Sequence, residues 1–206
     1  MRGKFITFEG CEGSGKSTQL KLLANYLNGL GVDFIMTREP GGSEISEEIR
    51  KIILNKNYDK MCDECEALLY AAARIQHLRE KIAPALARGT LVICDRYVDS
   101  SLAYQGYARG LGAGYVEAIN SFALKEFCPD LTVFLDISPA AAFERKHGAD
   151  TDDRMEMQGL DFHEEVYKGY AQLMGRYARI CAVDCSGSKF ETAEKIKNLL
   201  KEKGII

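Results

Sequence analysis

The run Gly10-Cys11-Glu12-Gly13-Ser14-Gly15-Lys16-Ser17, continued by Thr18, decides how the rest of the chain is read. It fits the pattern G-x-x-x-x-G-K-[ST] without a gap. Lys4-Phe5-Ile6-Thr7-Phe8 precedes it and reads as a buried strand. Leu20, Leu23, Ala24 and Leu27 follow at helical spacing. Strand, glycine-rich turn and helix together make an anion cradle. The glycines let backbone N–H groups turn inward, and the helix N-terminus adds partial positive charge. Lys16 is then placed to reach β- and γ-phosphates, and the Ser17 hydroxyl to ligate Mg²⁺. The plainer alternative is an ordinary glycine-rich turn.

The chain around this loop is of ordinary globular make. Its 206 residues suit one α/β domain with a substantial core. Hydrophobic residues make up 46% and charged residues 28%. A net charge of -3 argues against general nucleic-acid or membrane binding. No apolar run approaches the length that spans a bilayer. Met1-Arg2-Gly3-Lys4 leads straight into the first strand, so no secretory signal is expected, and the expected location is the cytoplasm. The cysteines number seven. Cys62-Asp63-Glu64-Cys65 has metal-like spacing, but no second pair completes a zinc set, and free thiols in a reducing compartment are the favoured reading. Cys94 and Cys128 are expected in the core. Cys11 is expected to be oxidation-sensitive, because Lys16 and the helix N-terminus favour a thiolate.

Further along, Val32 to Thr37 reads as a second strand ending in Arg38-Glu39-Pro40-Gly41-Gly42. Charged residues at the carboxyl end of a strand lie where open α/β sheets bind ligands. Ser43 is expected to cap a helix with Ile45, Ile49, Ile52 and Ile53 as its buried stripe and Arg50 off it. A guanine-reading N-K-x-D box fails at Tyr58 in Asn55-Lys56-Asn57-Tyr58. A long helix is expected from about Glu64 to Ala87, with Leu68, Ile75, Leu78 and Ile82 buried. Tyr70 and Arg74 share another of its faces. They suit the stacking and hydrogen bonding of a flat heterocycle, though periodicity by itself favours a surface pair.

Leu91-Val92-Ile93-Cys94 is a short apolar strand running into Asp95-Arg96-Tyr97. There a phosphate-loop protein places its Mg²⁺-organising carboxylate, and Arg96 beside it suits two phosphate groups. Helix from about Tyr115 to Phe127, strand from Leu131 to Asp136, helix after Ser138-Pro139, helix through Phe162 to Tyr177, strand from Ile180 to Asp184 and a closing helix complete the pattern. Arg145 to Glu156 is the most polar segment; composition favours a solvated loop over a closing flap. The alternation implies an α/β fold: a three-layer phosphate-loop architecture with a five-stranded parallel sheet flanked by helices.

Three blocks now carry a resemblance. Phe8 to Ser17, Thr37-Arg38-Glu39-Pro40-Gly41-Gly42, and Asp95-Arg96-Tyr97-Val98-Asp99-Ser100-Ser101-Leu102-Ala103-Tyr104-Gln105-Gly106 resemble bacterial thymidylate kinase, in order, over most of the chain. The second and third blocks are far more specific than the first. The resemblance implies transfer of the γ-phosphoryl of ATP to dTMP with Mg²⁺, in dTTP synthesis, by a homodimer. It implies that Gly10 to Thr18 bind ATP and that Ser17 and Asp95 serve the metal. Arg38, Arg50 and Arg96 would hold the acceptor phosphate, with Glu39 near it and the metal. Tyr70 would stack on thymine, Arg74 would donate to its O4, Ser101 and Gln105 would meet its N3 edge, and Tyr104 would pack near the sugar C2′. Glu12 matches the bacterial type, in which the catalytic arginine comes from a mobile lid, here about 145–156. Arg154 fits that role best, although the segment carries fewer arginines than some relatives.

The chemistry agrees independently. A phosphate acceptor is already anionic, so no strong general base is needed, and catalysis becomes positioning plus charge neutralisation. Lys16, Arg38, Arg96 and Mg²⁺ would supply the positive charge. The rival readings are a kinase for another nucleotide or a deoxynucleoside, with Glu39 as base, and a nucleotide switch that signals through partners.

Overall fold

The computed structural model describes residues 2–145, 154–155 and 157–206. Five parallel strands form one sheet in the order β2-β3-β1-β4-β5: β1 Phe5–Glu9, β2 Phe34–Arg38, β3 Leu91–Asp95, β4 Leu131–Asp136 and β5 Ile180–Asp184. The helices are α1 Lys16–Gly29, α2 Glu44–Leu54, α3 Asp63–His77, α4 Ala83–Ala87, α5 Val98–Ser101, α6 Ala113–Ile119, α7 Ser121–Glu126, α8 Pro139–Arg145, α9 Leu160–Arg176 and α10 Lys189–Glu202. Two wider π-type stretches, Leu78–Ile82 and Leu102–Ala108, interrupt the helical regions.

Strand alternation sorts the core. Ile6, Phe8, Leu91, Ile93, Leu131, Val133 and Leu135 point to one face, where Leu23 and Leu27 of α1 and Ile196 and Leu200 of α10 cover them. On the other face Phe5, Val92 and Cys94 meet Leu78, Ile82 and Leu86, and Phe134 meets Val166, Tyr170 and Leu173 of α9. The expected layered α/β architecture is therefore present. α10 begins with a full capping box between Ser188 and Glu191, which satisfies two otherwise orphaned N–H groups.

Several expectations need correcting. Ile45 and Ile52 of α2, and Leu68 and Ile75 of α3, are exposed, while Ile53, Leu78 and Ile82 are buried. α2 and α3 pack on each other through small residues and a different stripe, including Ser46, Ala67 and Ala73. Ser43 is the N-cap of α2 by position, but its hydroxyl meets Ser46 Oγ at 2.9 Å instead of a helix N–H. The helix expected from Tyr115 to Phe127 breaks at Asn120 into α6 and α7. Cys128 is exposed, whereas Cys94 is buried.

Candidate active site

Strand register gathers the functional residues. Phe8 and Arg38 both pair with Asp95. The Arg96 N–H donates to Phe8 O at 2.9 Å, and the Glu39 N–H to Asp95 O at 2.9 Å. The carboxyl ends of β1, β2 and β3 thus finish level, and the loops leaving them share one mouth, as the open-sheet rule expects.

The first of those loops wraps ahead of α1. Gly13 has φ 77°, and a Cβ there would sit 2.4 Å from Ala142 O, so the residue must be glycine. Gly15, at φ 91°, is the N-cap of α1. Lys16 Nζ donates to Gly10 O at 3.0 Å and Cys11 O at 3.2 Å, folding back over the loop. Burial, then the nearby Arg96, lowers its pKa. Cys11 behaves contrary to expectation. Its thiol is 1% exposed, and burial pushes its pKa up to about 11 despite Lys16 and Arg96. It is a core residue and not a reactive thiolate.

A cavity of about 660 Å³ lies over this mouth. It is lined by Glu12 to Thr18 of the loop and the first turn of α1, by Arg38, Glu39 and Arg50, by Tyr70 and Arg74 of α3, by Asp95 and Arg96, and by Ser101, Tyr104 and Gln105. Residues expected from three distant sequence blocks thus share one space of ligand size. Gly10 and Cys11 are not part of the lining; their carbonyls accept from Lys16. Asp95 Oδ1 is buried and has no hydrogen-bond partner among the described residues. With Ser17 in the same lining, that open carboxylate oxygen suits a hard cation.

Arg96 takes φ 66°, which is unusual for a residue other than glycine. Its guanidinium donates to Glu12 Oε1 at 2.5 Å and Ser100 Oγ at 3.1 Å, and lies 5.2 Å from the Tyr104 ring centroid. A residue that sequence reasoning passed over holds this turn. Glu9 Oε1 accepts the N–H groups of Tyr97 at 2.8 Å and Ser100 at 3.2 Å. Its Oε2 accepts the hydroxyls of Ser100 at 2.5 Å and Tyr170 at 2.8 Å. Burial, then the neighbouring Asp99, raises the Glu9 pKa to about 7. Its position before Gly10 was visible, but nothing in the sequence paired it with Ser100 and Tyr170.

Arg74 is not a surface residue; it is 2% exposed. Four of its five N–H groups are taken: Nε by Glu39 Oε2 at 2.7 Å, Nη1 by Asn120 Oδ1 at 2.5 Å, and Nη2 by Tyr97 O at 3.1 Å and Ser101 Oγ at 3.0 Å. One N–H, on Nη1, has no partner among the described residues. Glu39 is fully engaged, with Oε1 against His77 Nδ1 at 3.1 Å. Glu39, His77 and Cys94 are spaced closely enough to suggest a metal cluster. Their atoms are already committed, since Cys94 donates to Arg96 O and His77 Nε2 meets Thr37 Oγ1 at 2.7 Å. Arg38 pairs with Glu47 at 2.9 Å, and Arg50 donates to Pro40 O at 2.8 Å.

The structure does not bring Arg154 to the phosphate loop. Arg154 is absent from the cavity lining, which contains Arg145 instead. Its Nη2 pairs with the buried Glu66 carboxylate and its Nε donates to Ile53 O at 3.1 Å. The physical reason is that Glu66, 0% exposed, requires a countercharge. Residues 146–153 and 156 of the expected lid lie outside the described residues. Glu66 itself was missed, although it stands four and eight residues before Tyr70 and Arg74 on the same helix.

A phosphate loop, an open carboxylate beside it and a cluster of arginines around one cavity define a phosphate-loop kinase acting on a phosphorylated acceptor. The thymidylate kinase family profile matches residues 8–196. Similar curated proteins include the thymidylate kinase of Clostridium novyi, 47% identical over 203 residues covering 97% of this chain and 99% of that one. The Bacillus licheniformis thymidylate kinase is 47% identical over 205 residues, 98% and 97% of the two chains. The Geobacillus thermodenitrificans enzyme is 50% identical over 189 residues, 90% and 84%. The chain belongs to the thymidylate kinase family.

Proposed function

We propose that the chain transfers the γ-phosphoryl group of ATP to the 5′-phosphate of dTMP, giving dTDP and ADP, as a step of dTTP synthesis. The observation that carries the reading is one cavity lined both by the phosphate loop with Asp95 and Arg96 and by Tyr70, Arg74, Ser101 and Gln105.

Gly10 to Thr18 cradle the ATP phosphates, with Lys16 at the β- and γ-phosphates. Ser17 and Asp95 would hold Mg²⁺, which neutralises phosphate charge when bound. Arg96, Arg38 and Arg50 orient the acceptor phosphate, and a phosphate can displace Glu12 from Arg96 because both are anionic ligands of one guanidinium. Arg145, which lines the cavity, is the better placed lid cation, and Arg154 serves as the counterion of Glu66. The spare Arg74 N–H donates to thymine O4. Ser101 and Gln105 meet the N3 edge, Tyr70 stacks on the ring and Tyr104 packs against the sugar. Both Glu39 oxygens being engaged counts against Glu39 as the base of a nucleoside kinase.

We read residues 1–206 as one kinase domain with 145–156 as its closing segment. The chain is proposed to act in the cytoplasm; no described helix is long and apolar enough to cross a membrane. The exposed Ile45, Ile52, Leu68 and Ile75 on the packed pair α2 and α3 support a homodimer.

The test is a coupled ADP-release assay with Mg-ATP against dTMP, dUMP, dCMP, dGMP, AMP and thymidine. Turnover that requires dTMP, falls with dUMP and is absent with thymidine is expected. Turnover with thymidine but not dTMP would replace the reading with a nucleoside kinase, and ADP release without acceptor dependence would leave a nucleotide switch.

A further inference from the structure

Gln105 and Glu66 meet below the proposed base site. Gln105 Nε2 donates to Glu66 Oε1 at 2.9 Å. Glu66 is 0% exposed and Gln105 2%. Gln105 lines the cavity and Glu66 does not. The glutamine amide is therefore clamped on the side away from the cavity.

We propose that Glu66 is a specificity-positioning residue: it holds the Gln105 amide nitrogen on its own side, so that the carbonyl oxygen is the amide atom turned to the base, which makes the site demand a ring N–H. The inference rests on the reading that Gln105 meets the N3 edge. The physics is one of donors and acceptors. A carboxylate accepts hydrogen bonds and cannot donate them. Turning the amide over would set Gln105 Oε1 against a carboxylate oxygen, two buried acceptors facing each other without a proton. One N–H of the –NH₂ group is thus held at Glu66, which keeps the nitrogen on that side and turns Oε1 toward the base. An oxygen there only accepts. Thymine and uracil carry a proton on N3 and satisfy it. Cytosine, or a 2-pyrimidinone ring, carries a lone pair on N3 and leaves two acceptors opposed. Sites that require a specific hydrogen bond discriminate far better than sites that measure shape alone.

Glu66 is itself immobilised. Arg154 pairs with its Oε2, and Arg109 Nη2 reaches the same oxygen at 3.4 Å, which leaves Oε1 to the amide. Arg154 is fastened to Ile53 O, so the carboxylate has little freedom to rotate away. Two arginines thus act on base selection without touching the base.

The test compares wild type, Glu66→Gln and Gln105→Ala as full chains with Mg-ATP. The acceptors are dTMP and the 2-pyrimidinone deoxyribonucleoside 5′-monophosphate. The second probe has an N3 lone pair and only hydrogen at C4; the Arg74 contact it loses is lost equally in every variant and cancels when the ratios are compared. In Glu66→Gln the neighbour both donates and accepts, so the Gln105 amide turns freely. The kcat/KM ratio of dTMP to the 2-pyrimidinone should then fall by at least about tenfold. The change should lie mainly in the KM values for the acceptors, with the KM for ATP within about twofold. A ratio that survives in Glu66→Gln but collapses in Gln105→Ala overturns the role of Glu66 and leaves the base-site reading standing. A ratio that survives in both removes Gln105 from the base site, and the role of Glu66 with it. If Glu66→Gln does not fold, a crystal structure of the wild type with dTMP decides. Glu66 still bonded to the amide atom that faces away from N3 supports the proposal, and Glu66 turned off Gln105 overturns it.

Discussion

Arg96 concentrates the residue-scale features of the site. Its left-handed backbone, its contacts with Glu12 and Ser100 and its place after Asp95 all aim one guanidinium at the phosphate loop. Arg96→Ala should lower kcat by about a hundred- to a thousandfold while ATP binding survives, because Lys16 and the loop are untouched. Arg96→Gly separates side chain from backbone. It relaxes φ 66° and should melt no lower than the alanine variant, with the same loss of turnover. Near-normal turnover in both would remove Arg96 from the chemistry.

Glu9 makes a second prediction at this scale. Its pKa is raised by burial from 4.5 to about 7, so between those values the folded chain binds a proton that the unfolded chain does not. Its contribution to stability is therefore most favourable at low pH, falls as pH rises through that window, and levels off above about pH 7. The groups facing it are Asp99, Arg96, Ser100 and Tyr170, and all remain in Glu9→Gln. Melting measured from pH 5 to pH 8 should show the glutamine variant gaining on the wild type, by on the order of a few kcal/mol. A constant difference across the range would mean that Glu9 titrates normally. Activity should run the other way. All four hydrogen bonds to Glu9 are donated to it, so the ionised form holds the Arg96 turn best.

At the scale of elements, α3 supplies Tyr70 and Arg74 to the cavity, and the break between α6 and α7 supplies a partner for Arg74. Asn120 occupies the break, with its Nδ2 donating to Val116 O at 2.9 Å and its Oδ1 accepting from Arg74. A continuous helix would have carried that side chain elsewhere. Asn120→Ala should cost about 1–3 kcal/mol of stability by leaving a buried guanidinium N–H unmet. It should raise the KM for dTMP more than that for ATP; equal effects on both would show that the break serves packing alone. Arg74→Ala is a poorer probe of the base site. It strips the buried Glu39 of its cation and is expected to cost about 3–5 kcal/mol.

At the scale of the molecule, the apolar residues left outside on α2 and α3 bear on assembly. Leu68→Glu with Ile75→Glu should convert a dimer to monomer in sedimentation experiments, with monomer stability little changed because both side chains are already exposed. A wild type that sediments as a monomer would refute the homodimer. The thiols report on the fold as a whole. Cys62, Cys65 and Cys128 should react with an alkylating reagent well before the buried Cys11, Cys94 and Cys185. Early labelling of Cys11 would place it outside the core.

By itself the sequence determined the order of strands and helices, the phosphate loop and the identity of most cavity residues. Those features are local: a glycine pattern, a run of apolar residues and a charged residue at a strand end all act within a few positions. Gly13, Lys16, Asp95 and Arg96 were legible for that reason. The tertiary structure alone decided which long-range partners each polar group takes. Periodicity left Arg74 on the surface, and Glu39, Asn120 and Ser101 drew it inside. Local charge made Cys11 a reactive thiol, and burial reversed that. Arg154 pointed by motif to the phosphates, and the buried Glu66 holds it. Ile45, Ile52, Leu68 and Ile75 kept helical spacing, yet the packing of α2 on α3 chose other faces. For Arg74 and Arg154 the deciding term is the cost of burying a polar or charged group without a partner, and that partner lies dozens of residues away.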